Sequence, residues 1–145
     1  MNRFSSVVLV DGRGWVLLQE RDEFPDIDPE KWGFVGGHLE EDENYRTGAY
    51  RELEEETGLL LEAGLELFGQ FTVHHQHTDT DDEFQLFVKC VDLGDGDIEC
   101  HEGRRIVFVE PEQARALDLT AAAAIALPRF LDSELYSRLC QGRAS

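Results

Sequence analysis

Several things are scarce in this chain, and each scarcity removes a class of function. Its longest unbroken apolar stretch, residues 121–127, falls far short of the roughly 18 residues that a membrane-spanning helix needs. The first eleven residues carry no basic start, apolar middle and small-residue cleavage site, so no secretory leader is expected there. Only three cysteines occur, Cys90, Cys100 and Cys140, with no CxxC spacing. An odd number in that arrangement predicts free thiols in a reducing compartment, and hence a cytoplasmic protein. Basic residues are the most conspicuous shortage: 13 Lys and Arg face 31 Asp and Glu, for a formal net charge of −18. A surface that negative repels the phosphate backbone, which argues against bulk nucleic-acid or anionic-membrane binding. It would also repel a small phosphorylated substrate, unless cations held by clustered carboxylates reverse the field locally. Most of the acids need do no more than keep the protein in solution.

What is present suffices for one core. With 145 residues, 41% of them apolar, and no internal repeat or low-complexity linker, a single domain over 1–145 is expected. Residues 5–10 and 15–19 are short apolar segments around Asp11-Gly12-Arg13-Gly14, which predicts a hairpin. Residues 21–31 hold Pro25 and Pro29 and read as a loop, followed by a brief strand over 32–35 that runs into Gly36-Gly37. A helix follows, with Asp42, Glu43 and Asn44 at its start and Gly58 after its last turn. Strands are expected over 65–73, 83–91 and 106–109. Helix is expected over 111–117 and 120–139, with Pro128 as a kink or break. The sum is an α+β layered domain.

The central helix carries the chemistry. Glu52, Glu55 and Glu56 stand at i, i+3 and i+4, within an arc of about 100° at roughly 100° per residue. Ala49, Tyr50 and Leu53 occupy an adjoining arc that can face a core. Like charges at this spacing destabilise a helix by a few tenths of a kcal/mol per pair, a repulsion that a hard cation such as Mg²⁺ would relieve. In isolation the triplet reads first as an acidic, solvated helix face.

The surrounding residues take it out of isolation. From Gly37 to Leu59 the chain reads GHLEEDENYRTGAYRELEEETGL. This resembles the Nudix hydrolase signature G-x5-E-x7-R-E-U-x-E-E-x-G-U, where U is a bulky aliphatic residue. Gly37, Glu43, Arg51, Glu52, Leu53, Glu55, Glu56, Gly58 and Leu59 match at every defined place. Residue frequencies alone put a chance match on the order of one in a million.

The resemblance implies an α/β/α sandwich with a mixed central sheet and a loop–helix–loop catalytic motif. It implies Mg²⁺, with Mn²⁺ able to substitute, and hydrolysis of a pyrophosphate bond in a nucleoside diphosphate linked to another group. Glu52, Glu55 and Glu56 become metal ligands or part of the base system, with the Gly37 carbonyl as an extra ligand. Glu43 and Arg51 would brace the motif through a charge-assisted hydrogen bond, a structural role for Arg51 ahead of a catalytic one. Glu102, before the last strand, is either a further metal-binding or base-like acid, ahead of Glu99 and Glu110, or simply a solvated glutamate of a polar turn, and a homodimer is a common family assembly.

Specificity has fewer signals. Trp32 and Phe34 are candidates to stack on a base, though a core position suits each. Val35 stands where many relatives carry Pro, a departure that touches no presumed ligand. Arg21 and Lys31, with Lys89, Arg104 and Arg105, are the scarce cations available to a phosphate. His74, His75, Gln76, His77, Thr78, Asp79, Thr80, Asp81 and Asp82 form either a polar loop or a patch touching a transition metal or the leaving group. Oxidised nucleoside triphosphates, nucleotide sugars, dinucleotides and coenzyme-like esters all stay open as substrates. So do two other readings: a non-catalytic nucleotide-binding sensor, and an acidic domain that merely binds divalent ions.

Overall fold

A computed structural model describes residues 2–23, 30–75 and 78–141. Seven strands form one mixed sheet: β1 (Asn2–Val10), β2 (Val16–Glu20), β3 (Trp32–Gly33), β4 (Val35–His38), β5 (Glu66–His75), β6 (Thr80–Cys90) and β7 (Arg105–Val109). The helices are α1 (Tyr45–Thr57), α2 (Pro111–Ala116), α3 (Ala121–Leu131) and α4 (Glu134–Gln141). β1 lies parallel to β6 from Asn2–Asp82 to Val10–Cys90, while β5 runs antiparallel to β6.

The sheet is buried on both faces, because side chains alternate across it. On one face, Val7, Leu9, Val35 and Phe87 pack against Ala49 and Leu53 of α1. On the other, Val8, Val10, Phe84 and Leu86 pack against Ala126, Leu127 and Phe130 of α3. Helix, mixed sheet and helix therefore stack as the α/β/α sandwich that the motif implied. None of the helices among the described residues is long and apolar enough to cross a membrane.

The expected helix is built as its ends dictate. Asn44 caps it by accepting from the Thr47 N–H at 2.8 Å, and Gly58 closes it with φ 77°, its N–H bonded to the Glu54 carbonyl. Asp42 and Glu43 lie ahead of the cap, so the first turn holds no acid. This corrects the expectation that they charge the helix start, and it frees Glu43 for another task.

Four other expectations shift. The hairpin turn forms, with Gly14 at φ 82°, but β1 and β2 pair in register only at Val10–Val16. The brief strand over 32–35 is two strands: β3 pairs with β2, β4 pairs with β1, and the chain crosses between them at Phe34. Pro128 sits inside α3, and the helix breaks at Asp132–Ser133 instead. There the Ser133 hydroxyl donates to the Phe130 carbonyl and accepts from the Tyr136 N–H, while Leu127 and Phe130 bury the turns around the proline. Finally, the histidine–aspartate stretch is strand as far as His75 and again from Thr80, not a long loop. Gln76 and His77, like Pro25 and Pro29, lie outside the described residues.

Leu53 is fully buried between α1 and the sheet. Leu53→Ala should lower unfolding stability by about 2–5 kcal/mol, checked by urea denaturation. A loss under about 1 kcal/mol would show that α1 is not packed as described.

Candidate active site

Two glycines in β4 let α1 come close enough to build a site. A Cβ on Gly36 would run into the Ser5 carbonyl oxygen of β1, and one on Gly37 would lie 2.6 Å from the Glu52 carboxyl carbon. Through this gap the Gly36 N–H donates to Glu56 Oε2 at 2.8 Å, tying strand to helix.

Arg51 organises the acids on the outer side. It grips Glu43 with two charge-assisted hydrogen bonds of 2.7 Å each, the geometry that a planar guanidinium favours. The same side chain donates to Glu52 at 2.9 Å, Glu55 at 3.1 Å and the His38 carbonyl at 3.1 Å. The Arg51 bond holds the Glu43 carboxyl below its ordinary range, and that bond in turn raises the Arg51 guanidinium. The expected Glu43–Arg51 brace is present. Glu55, by contrast, is half exposed and spent on Arg51, not turned inward with its two neighbours.

The inward acids are in a different state. Glu56 is 4% exposed. Its carboxyl is pushed up to about 9, first by burial and next by a hydrogen bond with Glu102; the charges of Glu102 and Glu52 add to this and the Gly36 N–H opposes it. Burial also raises Glu52, against the pull of Arg51. Glu102 is brought here by a loop fastened to α1: the His101 N–H donates to the Glu56 carbonyl at 2.9 Å, and the Glu99 N–H to the Thr57 carbonyl at 3.0 Å. Gln19 of β2 donates to the Glu102 carbonyl at 2.8 Å.

These acids line one part of a cavity of about 400 Å³. It opens where β1 with β4 parts from β2 with β3, and Phe4, Ser6, Gln19, Phe34 and Gly37 contribute to its wall. Among the described residues, no three His, Cys, Asp or Glu side chains already close on a common point. The donor set nevertheless suits a hard cation: Mg²⁺ keeps several waters and takes only one or two carboxylates besides substrate phosphates. A carboxyl that burial first, and its acidic neighbours next, push toward the neutral form is a group whose charged form a cation would favour.

Of the residues proposed from sequence, Gly37, Glu52, Glu56, Glu102, Phe34 and Arg21 share this cavity, while Glu55 and Arg51 stand behind it. Trp32 is buried in the core with Arg105 over its ring at 5.0 Å, so it does not line the cavity, and neither does Lys31. Arg104 pairs with Glu23 and Glu30, and Arg105 with Glu20. Glu110 caps α2, and Glu99 packs beside His101. His75 and Asp82 also line the cavity. They were seen in the sequence only as part of a polar stretch. Carrying the alternation of Val73 and Phe84 two residues outward along each strand would have placed both on the buried face.

Comparison with known proteins gives consistent results. The model of the NUDIX domain matches residues 3–130. A CTP pyrophosphohydrolase of Escherichia coli (strain K12) is 30% identical over 123 residues, 85% of this chain and 87% of that one. The crystal structure of a MutT protein from Methanosarcina mazei Go1 superposes with a TM-score of 0.72 at 20% identity, covering 99% and 96% of the two chains. That of a C. elegans Ap4A hydrolase binary complex gives 0.71 at 20% identity, covering 98% and 99%. At such identities the two structures show a shared fold.

The raised Glu56 carboxyl sets a pH dependence. The folded protein binds this proton more tightly than the unfolded chain, so the stabilisation is full below the ordinary carboxyl value of 4.5 and is lost as pH climbs toward about 9. In metal-free buffer, melting temperature should therefore fall more steeply between pH 5 and 9 in the wild type than in Glu56→Gln, whose side chain stays neutral. Parallel pH profiles for the two proteins would refute this placement of Glu56.

Proposed function

The chain belongs to the Nudix hydrolase family, and on that premise we propose that it splits the pyrophosphate linkage of a small nucleotide, using Mg²⁺ held at the Glu52–Glu56–Glu102 end of the cavity. The observation that carries this reading is the Glu56 carboxyl, buried between the Gly36 N–H and Glu102 in a chain of net charge −18. A nucleoside triphosphate or its derivative suits the cavity volume of about 400 Å³, within the usual range for small-molecule sites. The likeness to a CTP pyrophosphohydrolase along most of both chains supports a mononucleotide.

When bound, Mg²⁺ supplies neutralisation of the diphosphate and a more acidic attacking water. The protein's own residues supply the remainder. Glu52 and Glu56 present oxygen donors toward the cavity from one helix face, and the Gly37 backbone lies beside Glu52 without a side chain in the way. Glu56 and Glu102 line the same end of the cavity, and taking a proton from water falls to one of these acids. Arg51 fixes the rotamers of Glu52 and Glu55 and keeps Glu43 on the loop before α1. Glu55, bonded to Arg51 on the same helix flank, would be a further carboxylate donor for the ion if that bond opened.

Purified protein with Mg²⁺ should hydrolyse members of a panel of nucleoside triphosphates, dinucleotides and nucleotide sugars, with products identified by ³¹P NMR and mass spectrometry. Mn²⁺ should substitute and EDTA should abolish turnover. Glu56→Gln should lower kcat by at least about a hundredfold while far-UV circular dichroism is unchanged, the size expected when a ligand or proton acceptor is lost. Turnover by that variant close to wild type would reject the assignment.

A further inference from the structure

The cavity has a second polar group that the hydrolytic chemistry does not use. Asp82 and His75 project from the sheet face that α3 covers, two residues beyond Phe84 and Val73 on adjacent strands. Both line the cavity. His75 Nε2 lies 2.9 Å from Asp82 Oδ2, with the two side chains 10% and 7% exposed. The other oxygen, Asp82 Oδ1, is buried and has no hydrogen-bond partner among the described residues. A carboxylate oxygen left without a donor in a buried position is costly, and in the wall of a cavity such an oxygen is an acceptor that water or a ligand N–H can complete.

Phe4 and Phe34 line the same cavity. One face of the Phe4 ring is stacked on Phe84 at 4.9 Å, which fixes its plane. Aromatic walls beside a buried hydrogen-bonding edge suit a planar heterocycle, since every base offers a π-face for stacking and a distinct pattern of donors along its rim. Gly33 and Gly36 add no side chains to the stretch of wall between this region and the acidic one.

Resting on the hydrolase reading above, we infer that the His75–Asp82 pair is a specificity-determining contact for the base, favouring one that offers an amino group over one that offers a carbonyl at that edge. His75 occupies Oδ2 and holds the carboxylate still, leaving Oδ1 as an acceptor. The exocyclic amine of cytosine or adenine donates to it. The carbonyl of uracil or hypoxanthine in the same place sets acceptor against acceptor and leaves both unsatisfied. Sites built around a hydrogen bond to a substrate N–H discriminate strongly against analogues without it.

The test compares CTP with UTP, and ATP with ITP, in wild type, Asp82→Asn and His75→Phe, together with calorimetric binding of CMP and UMP to the same proteins. Wild type should prefer the amino member of at least one pair by about tenfold or more in kcat/KM. In Asp82→Asn, whose amide can meet either group, the ratio should fall to within about twofold, and His75→Phe should weaken the preference without reversing it. A wild type that treats both members of each pair alike, or an Asp82→Asn variant that loses activity on both equally and keeps the ratio, overturns the inference and leaves the hydrolase reading standing. If no nucleotide is cleaved but CMP binds at least about tenfold tighter than UMP, and Asp82→Asn erases the difference, the base contact holds and the hydrolase reading fails. Equal binding of CMP and UMP without cleavage sinks both.

Discussion

One residue, Glu56, ties a strand and a distant loop to α1. Glu56 takes the Gly36 N–H through its side chain and the His101 N–H through its backbone carbonyl, so one residue near the end of α1 fastens both a strand and a distant loop. Neither attachment tolerates much change around it: Gly36 has no room for a Cβ against Ser5, and the loop brings in Glu102, a second acid, beside the first. The cost is electrostatic. Arg51 compensates Glu43, Glu52 and Glu55 and does not reach Glu56, so the charge deficit is left where the cavity begins. Structure and site are thereby coupled, because the residue that ties strand and loop to α1 is also the one whose carboxyl burial pushes toward its neutral form.

The cavity itself is a product of sheet topology. β1 and β2 begin as a hairpin and then take different neighbours, with β4 continuing along β1 and β3 along β2. The crossing at Phe34 puts an aromatic ring and three glycines, Gly33, Gly36 and Gly37, along the opening. Glu52 and Glu56 reach it from α1, on one face of the sheet, while His75 and Asp82 reach it from the opposite face. Two chemically distinct groups thus line one cavity from opposite faces of the sheet.

Much of this was legible before any coordinates. The cap at Asn44, the stop at Gly58 and the apolar pair Ala49 and Leu53 were local signals, and local signals decide helices. The motif spacing located Glu52, Glu56 and the Glu43–Arg51 brace for the same reason. Illegible were features set by distant partners. The expected facial triplet treated Glu55 and Glu56 alike, yet neighbours from other elements bury one while Arg51 draws the other outward. Pro128 looked like a break, but the core contacts of Leu127 and Phe130 carry the helix past it. The stretch from His74 to Asp82 looked like a loop because its composition is polar; its strand character comes from pairing with β1 and with itself, and a single sequence does not display that.

The pairing of β1 with β6 also dictates an order of assembly. Phe4 finds its partner Phe84 only after about 80 further residues have been made. During synthesis the future middle strand of the sheet, with Val7, Val8, Leu9 and Val10 all destined for full burial, must wait without its parallel neighbour. Contacts so remote along the chain slow folding and leave an apolar strand edge open to wrong associations in the interval. Until β6 is available, the chain therefore carries four apolar residues of β1 without the strand that covers that edge.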